Sequence, residues 1–242
     1  KKKKKDINIK IIVIYHKLFS VFYLKMSPLI SFLIPTLKER EQKFKSLSDK
    51  IYLQIEENNL QEKVEVLSIC DNRNIKLSVK RNMLQQMCKG SYFIHLDDDD
   101  RVADDYCKTL CDVIEKLSEN SPYGSGNTPV PDCITYNQMC EVNKEFFIVK
   151  CNPYRDMGLT LVDMNDGLKI FERVPWQFCL WNKARFSHIY RTDVDTNARE
   201  DQNWLKKVYL EYPKTFYNID KVLHYYYFDK DGTGENKTTC QL

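Results

Sequence analysis

Three short apolar runs recur in the first half of this chain, each followed by a segment of helical periodicity, and no other feature constrains the fold as tightly. Leu29-Ile30-Ser31-Phe32-Leu33-Ile34 stops at Pro35. Val64-Glu65-Val66-Leu67-Ser68-Ile69 ends at the turn cluster Asp71-Asn72-Arg73-Asn74. Tyr92-Phe93-Ile94-His95-Leu96 runs straight into Asp97-Asp98-Asp99-Asp100. Short runs rich in β-branched and aromatic residues, bounded by breakers, read as buried strands. The intervening segments carry Phe44, Leu47, Ile51 and Ile55, then Met83, Leu84 and Met87, then Tyr106, Leu110, Val113, Ile114 and Leu117, all at helical spacing. Gly90 is expected as the left-handed C-terminal cap of the second helix. Asp104 and Asp105 are expected in the first turn of the third, where the helix dipole favours acids. Strand–helix alternation predicts a parallel sheet with helices packed on it. Ligands bind beyond the carboxyl ends of such strands. Pro35-Thr36, Asp71 and the aspartate run all emerge at that rim.

The second half is less regular. Ser121 to Pro131 reads as a loop, Cys133–Tyr136 and Phe146–Val149 as strands that could pair, and Asn152 to Asp166 as loop. An aromatic stretch runs from Val174-Pro175-Trp176 through Trp181 to Phe186. Arg199-Glu200-Asp201 opens a short helix, and Val222 to Phe228 is a late aromatic strand before a polar tail.

The 242 residues suit one domain, and 43% hydrophobic with 29% charged residues is the balance of a globular protein. Eight lysines and one acid crowd residues 1–25, so the rest of a chain of net charge +3 is mildly acidic. Such a body has no broad footprint for nucleic acid. The apolar stretch Ile7–Leu24 is broken by Lys10, His16 and Lys17, short of the roughly 20 apolar residues a membrane-spanning helix needs. Two readings stand for it. It is an interfacial segment giving weak membrane association, or, the favoured reading, it lies outside the fold, with Met26 the start. Nine cysteines, an odd number without a CxxC pair, point to free thiols and a reducing, cytoplasmic setting. Cys107 and Cys111 lack the partners of a zinc site and read as structural.

Four adjacent carboxylates after a buried strand need a reason, because like charges repel. A divalent cation relieves the repulsion, and Mn²⁺ or Mg²⁺ prefers hard oxygen ligands shared with phosphate. The bland alternative is a solvated acidic loop. A calcium hand is excluded: counted from Asp97, Val102 and Lys108 stand where Gly and Glu are required. Glu200-Asp201 is a second acidic pair, open to either capping or catalysis.

Taken together, these segments resemble glycosyltransferase family 2. The carriers are Ser31 to Leu37 with Arg40, then Lys80-Arg81-Asn82, Gly90-Ser91-Tyr92 and Leu96 to Asp100, followed by Arg199-Glu200-Asp201 to Trp204 and Val222 to Tyr226. The resemblance covers Leu29 to Asp229. It implies a GT-A (Rossmann-like) α/β fold with a mixed, mostly parallel sheet flanked by helices. It divides the chain into the 1–25 extension, a nucleotide-sugar-binding half (26–130), and an acceptor-binding half (131–242) of the same domain. The implied reaction moves a sugar from a nucleotide-diphosphate donor, a UDP-sugar first, to a glycan or other hydroxyl acceptor, with inversion. The implied roles are Pro35, Thr36, Asp71 (nucleobase), Arg81, Asp97 (donor sugar or ribose) and Asp98 for the donor. Asp99 and Asp100 would hold the cation, Asp201 would be the base with Glu200 beside it, and Trp204 and Trp176 would meet the acceptor. Two departures stand out. Leu37 replaces a base-stacking aromatic, and Arg199 replaces a glycine before the acidic pair. A sugar-phosphate nucleotidyltransferase would carry a glycine-rich loop after the first strand, and residues 35–45 contain no glycine. A non-catalytic binding relative is the other alternative.

Overall fold

The computed structural model describes residues 10–13, 27–119, 131–165, 167–192, 199–211 and 213–228. The expected 121–131 loop, apart from Pro131, the polar tail from residue 229 and most of the N-terminal extension lie outside the described residues. Lys10–Val13 (β1) pairs antiparallel with the third strand at the sheet edge, so these four residues of the extension belong to the sheet.

The predicted alternation is present. β2 (Ile30–Leu37), β3 (Val64–Asp71) and β4 (Tyr92–His95) are parallel, with β2 central. They alternate with α1 (Glu41–Glu57), α2 (Leu77–Met87) and, after the short β5 (Arg101–Val102), α3 (Tyr106–Glu119). β2 runs on past Pro35. It pairs with β4 only as far as Leu33, so beyond that point one side is an edge, where a residue without an N–H is tolerated. α1 buries Leu47, Ile51 and Ile55 as its periodicity required, but also Gln54. The Gln54 amide accepts from the Cys107 N–H at 2.9 Å and donates to the Ala103 carbonyl at 2.9 Å. This side chain from α1, rather than Asp104 or Asp105, caps α3. Both aspartates precede that helix.

Gly90 does not adopt the expected left-handed cap. A Cβ there would lie 2.6 Å from the Ser31 backbone nitrogen and 2.7 Å from the Ile30 carbonyl carbon. The glycine lets the α2–β4 link pass against β2.

Among the described residues, the second half extends this sheet to eleven strands: β6 (Cys133–Val142), β7 (Glu145–Cys151), β8 (Thr160–Asn165), β9 (Leu168–Arg173), β10 (Leu180–Asn182) and β11 (Phe216–Phe228). β6 and β7 do pair, as an antiparallel hairpin turned by Asn143 and Lys144, both at positive φ. The segment read as loop to Asp166 contains β8, which pairs antiparallel with β9. Its exposed apolar residues alternate too poorly to announce a strand. β10 joins the halves, antiparallel to both β4 and β6. The sheet is mixed, and its four longest strands, β2, β3, β6 and β11, point one way. α4 (Lys183–Phe186) and α5 (Glu200–Leu210) complete the elements. One large core of aliphatic and aromatic side chains spans both halves. Among the described residues, no helix is long and apolar enough to cross a membrane.

Candidate active site

The carboxyl ends of β2, β3 and β4 meet at one rim, and the aspartate run closes over it. The four aspartates there occupy four different environments. Asp98 is buried. Arg40 donates to both its oxygens, from Nε at 2.8 and 3.0 Å, and Thr36 Oγ1 donates to it at 2.7 Å. Asp98 therefore ties the turn after β2 to the aspartate loop, and its carboxylate is not open to a donor. Thr36 is buried in the same contact, and Pro35 is buried beside it. Asp99 is exposed and meets Arg40 at 2.8 Å and Lys43 at 3.3 Å. Asp100 folds back to accept the Asp97 N–H at 2.7 Å and lies 3.2 Å from His224 Nε2. Asp97 pairs with Arg81. Desolvation pushes the Asp97 carboxyl up to about 6. Arg81 pulls against this, and the charges of Asp100, Asp99 and Asp201 add to it.

Asp71 departs from its expected role. One oxygen accepts the N–H groups of Asn74 and Ile75 at 2.6 and 2.7 Å, and the other accepts from Lys80 Nζ at 2.7 Å. Burial pushes this carboxyl up, but Lys80 and the two amides outweigh it and hold it below the usual range. With its side chain 1% exposed, Asp71 shapes the β3–α2 loop and presents no free edge to a nucleobase. Lys80 also donates to the Thr36 carbonyl at 2.8 Å, tying the ends of β2 and β3 together.

Glu200 and Asp201 are adjacent but not equivalent. Glu200 is 3% exposed and sits between two buried guanidinium groups, Arg81 and Arg191. Gln177 Oε1 accepts from the same pair, at 2.8 and 3.1 Å. A carboxylate so enclosed cannot reach an acceptor hydroxyl, so Glu200 is a clamp for Arg81 rather than a base. Asp201, one residue on at the start of α5, is half-buried and accepts from Trp176 Nε1 at 3.2 Å. Arg199 precedes them at φ +69°, the left-handed region. A glycine would hold this backbone without steric cost.

The tryptophans divide. Trp204 is fully buried, donates to the Ile189 carbonyl at 2.9 Å and packs edge-on against Trp181. It belongs to the core, and the acceptor role expected for it is withdrawn. Its helical spacing fixed which face of α5 it shares with Leu205 and Val208, and that face turns inward. Trp176 is also buried, 9% exposed and packed into the same core, but it carries the Arg173 guanidinium 3.5 Å from its ring centre and turns its N–H to Asp201.

Sequence reasoning passed over Arg191, Gln177 and the clamping role of Arg40 and Lys80. His224 is buried, stacked on Phe178 and bonded to Gln138 at 2.8 Å, and β11 brings its other nitrogen to Asp100. The register pairing His224 with Val102, two residues past Asp100, does this. Buried His95 lies 3.1 Å from Arg191. Burial, then the charges of Arg191 and Arg81, holds its imidazole far below its ordinary value and keeps it neutral.

Among the described residues, no three carboxylate, thiol or imidazole groups already form a closed ligand set for a metal ion. Magnesium-type ions held by one or two carboxylates plus phosphate oxygens and water need no closed set. Asp97 and Asp99 both keep part of their surface open at the end of β4, and a cation there would relieve the repulsion that adds to the burial of Asp97, so the residues fit it.

No protein-family model and no curated protein matches the chain. Solved structures do. S. aureus TarS in complex with UDP-GlcNAc superposes with a TM-score of 0.53 at 15% identity, covering 88% of this chain and 61% of that one. The fold is GT-A-like. TarS in complex with UDP gives a TM-score of 0.50 at 16% identity, covering 83% and 61%. A TarS structure without a stated ligand gives 0.51 at 16%, covering 82% and 60%. The chain thus spans about three fifths of the length of these structures. The family resemblance drawn from the motifs is borne out at the level of the fold.

Proposed function

We propose that this protein is a metal-dependent, inverting glycosyltransferase that moves a sugar from a nucleotide-diphosphate donor to an acceptor hydroxyl. One observation carries the reading. Asp97, Asp99 and Asp100, from the end of β4, share a rim with Arg81 and with Asp201 from the start of α5. In this reading Asp99 and Asp97 hold Mn²⁺ or Mg²⁺, with Asp100 fixed behind them by His224. The cation supplies charge stabilisation for the departing diphosphate. Arg81, held by Glu200, keeps a positive charge beside Asp97. Asp201 takes the proton of the acceptor hydroxyl as that oxygen bonds to the anomeric carbon and the bond to the diphosphate breaks. A single displacement inverts the carbon. The UDP-sugar complex of the structural neighbour supports a UDP-sugar as the first donor to try. Trp176, beside Asp201, is the candidate acceptor contact, and a glycan is the acceptor class considered first.

The test is nucleoside diphosphate release from a panel of nucleotide sugars, with Mn²⁺, with Mg²⁺ and with chelator, on the chain and on Asp99→Asn. Cation-dependent release from one donor, lost in the variant, is the expected result. Release that survives chelation would overturn the metal. Absence of both release and calorimetric nucleotide binding in Mn²⁺ would favour a non-catalytic relative.

A further inference from the structure

Strand alternation turns Tyr225 and Tyr227 to the sheet face opposite His224. There they fall into two cross-strand rows. Tyr225 lies between Arg101 of β5 and Met139 of β6, and Tyr227 lies beside Glu141, which in turn faces Phe146 of β7. These rows floor a cavity of about 410 Å³, walled by Lys50 from α1 and Asp104 from the β5–α3 link. That volume is within the range of small-molecule sites, roughly 300–1,000 Å³.

The composition of the cavity selects a ligand class. Three of its rings stay in contact with water: Tyr225 is 39% exposed, Tyr227 53% and Phe146 55%. Large rings left open in a concave site, rather than packed away, are surfaces for a ligand with an apolar face. Around them stand donors and acceptors. Arg101 lies over the Tyr227 ring at 6.0 Å, and Lys50 pairs with Asp104 at 2.8 Å. Glu141 adds a carboxylate beside Tyr227. Two cations and two carboxylates cancel, so the cavity offers no net field to gather an anion. A pyranose ring matches this pattern, with C–H groups on one face for the rings and hydroxyls at its rim for the charged groups.

We propose that this cavity is a binding site for an uncharged oligosaccharide, separate from the reaction centre. Arg101 directly follows Asp100, and Tyr225 directly follows His224, so the two sites share the β5–β11 pair from opposite faces. Assigning the bound oligosaccharide as a distant part of the acceptor rests on the transferase reading above. Binding itself does not.

The experiment measures binding, not turnover. Chito-, cello- and malto-oligosaccharides, with oligogalacturonate as the anionic counterpart, are titrated by calorimetry and by saturation-transfer NMR into the full chain and into Tyr227→Ala, Phe146→Ala and Asp99→Asn. Because both rings are more than half exposed, the alanine variants should fold, which thermal melting checks. One neutral series is expected to bind, with affinity weakened about tenfold, the scale of one stacking contact, in Tyr227→Ala and in Phe146→Ala, and retained in Asp99→Asn. No neutral ligand binding, preference for oligogalacturonate, or loss of binding in Asp99→Asn with the two alanine variants unaffected would each overturn the proposal. Failure here with donor release intact would leave the transferase reading standing.

Discussion

Replacing Glu200 by Gln should unfold this protein more readily than it slows it, and replacing Asp201 by Asn should do the reverse. Glu200 supplies the negative charge between Arg81 and Arg191, and all three side chains are nearly inaccessible to water. The amide keeps the shape and removes the charge. Two guanidinium groups are then left facing each other, with Asp97, the Gln177 side-chain carbonyl and the neutral His95 ring as their remaining partners and no full buried counter-charge between them. Breaking a buried ion pair on one side costs about 3–5 kcal/mol. For a domain of this size that is a fall in Tm of about 6–20 °C. Asp201 is half-buried, and an asparagine oxygen can still accept from Trp176, so Asp201→Asn should cost under about 1 kcal/mol. It removes the proposed base, however, and turnover should fall about 10²–10⁴-fold. Thermal unfolding beside nucleoside diphosphate release separates the two. An unchanged Tm in Glu200→Gln would refute the clamp. A stable but inactive Glu200→Gln together with an active Asp201→Asn would reverse the assignment of the base.

The remaining predictions concern backbone and protonation. Gly90→Ala pushes a methyl group into the Ser31 backbone and should destabilise by about 1–3 kcal/mol or more, read as a lower urea midpoint with unchanged slope. Arg199→Gly releases a left-handed non-glycine residue and should leave stability unchanged or raise it by up to about 1 kcal/mol. A lower Tm would show that the Arg199 side chain carries a contact of its own. Burial and the charges of Arg191 and Arg81 hold the folded His95 imidazole well below its ordinary 6.5. The unfolded chain therefore takes up a proton that the folded chain refuses. This contribution is full above about pH 6.5 and is lost progressively as pH falls below it. His95→Gln should flatten the stability profile between about pH 6.5 and 5, and an identical slope in the variant would count against a neutral buried imidazole.

The local part of the structure was legible in the order of the residues. Apolar runs and helical spacing specified β2, β3, β4 and the three helices that follow them, because burial on one face or both is written into periods of two and 3.6 residues. The aspartate run and Glu200-Asp201 were legible as unusual charge, since nothing in a strand end requires so many acids. The hairpin of β6 and β7 was readable, but β8 was not, for an exposed edge strand has no buried face to enforce alternation. What each carboxylate does was decided by partners remote in the chain. Arg40 meets Asp98 58 residues away, and Arg81 meets Glu200 119 residues away. Those pairings, with Lys80 on Asp71, enclose Asp98, Asp71 and Glu200 and leave Asp97, Asp99 and Asp201 partly open to solvent. Trp204 and Trp176 both went to the core, and only Trp176 keeps its N–H on Asp201, for the same reason. Residue type sets what a side chain can do, but only tertiary packing sets whether water, a counter-charge or a substrate reaches it.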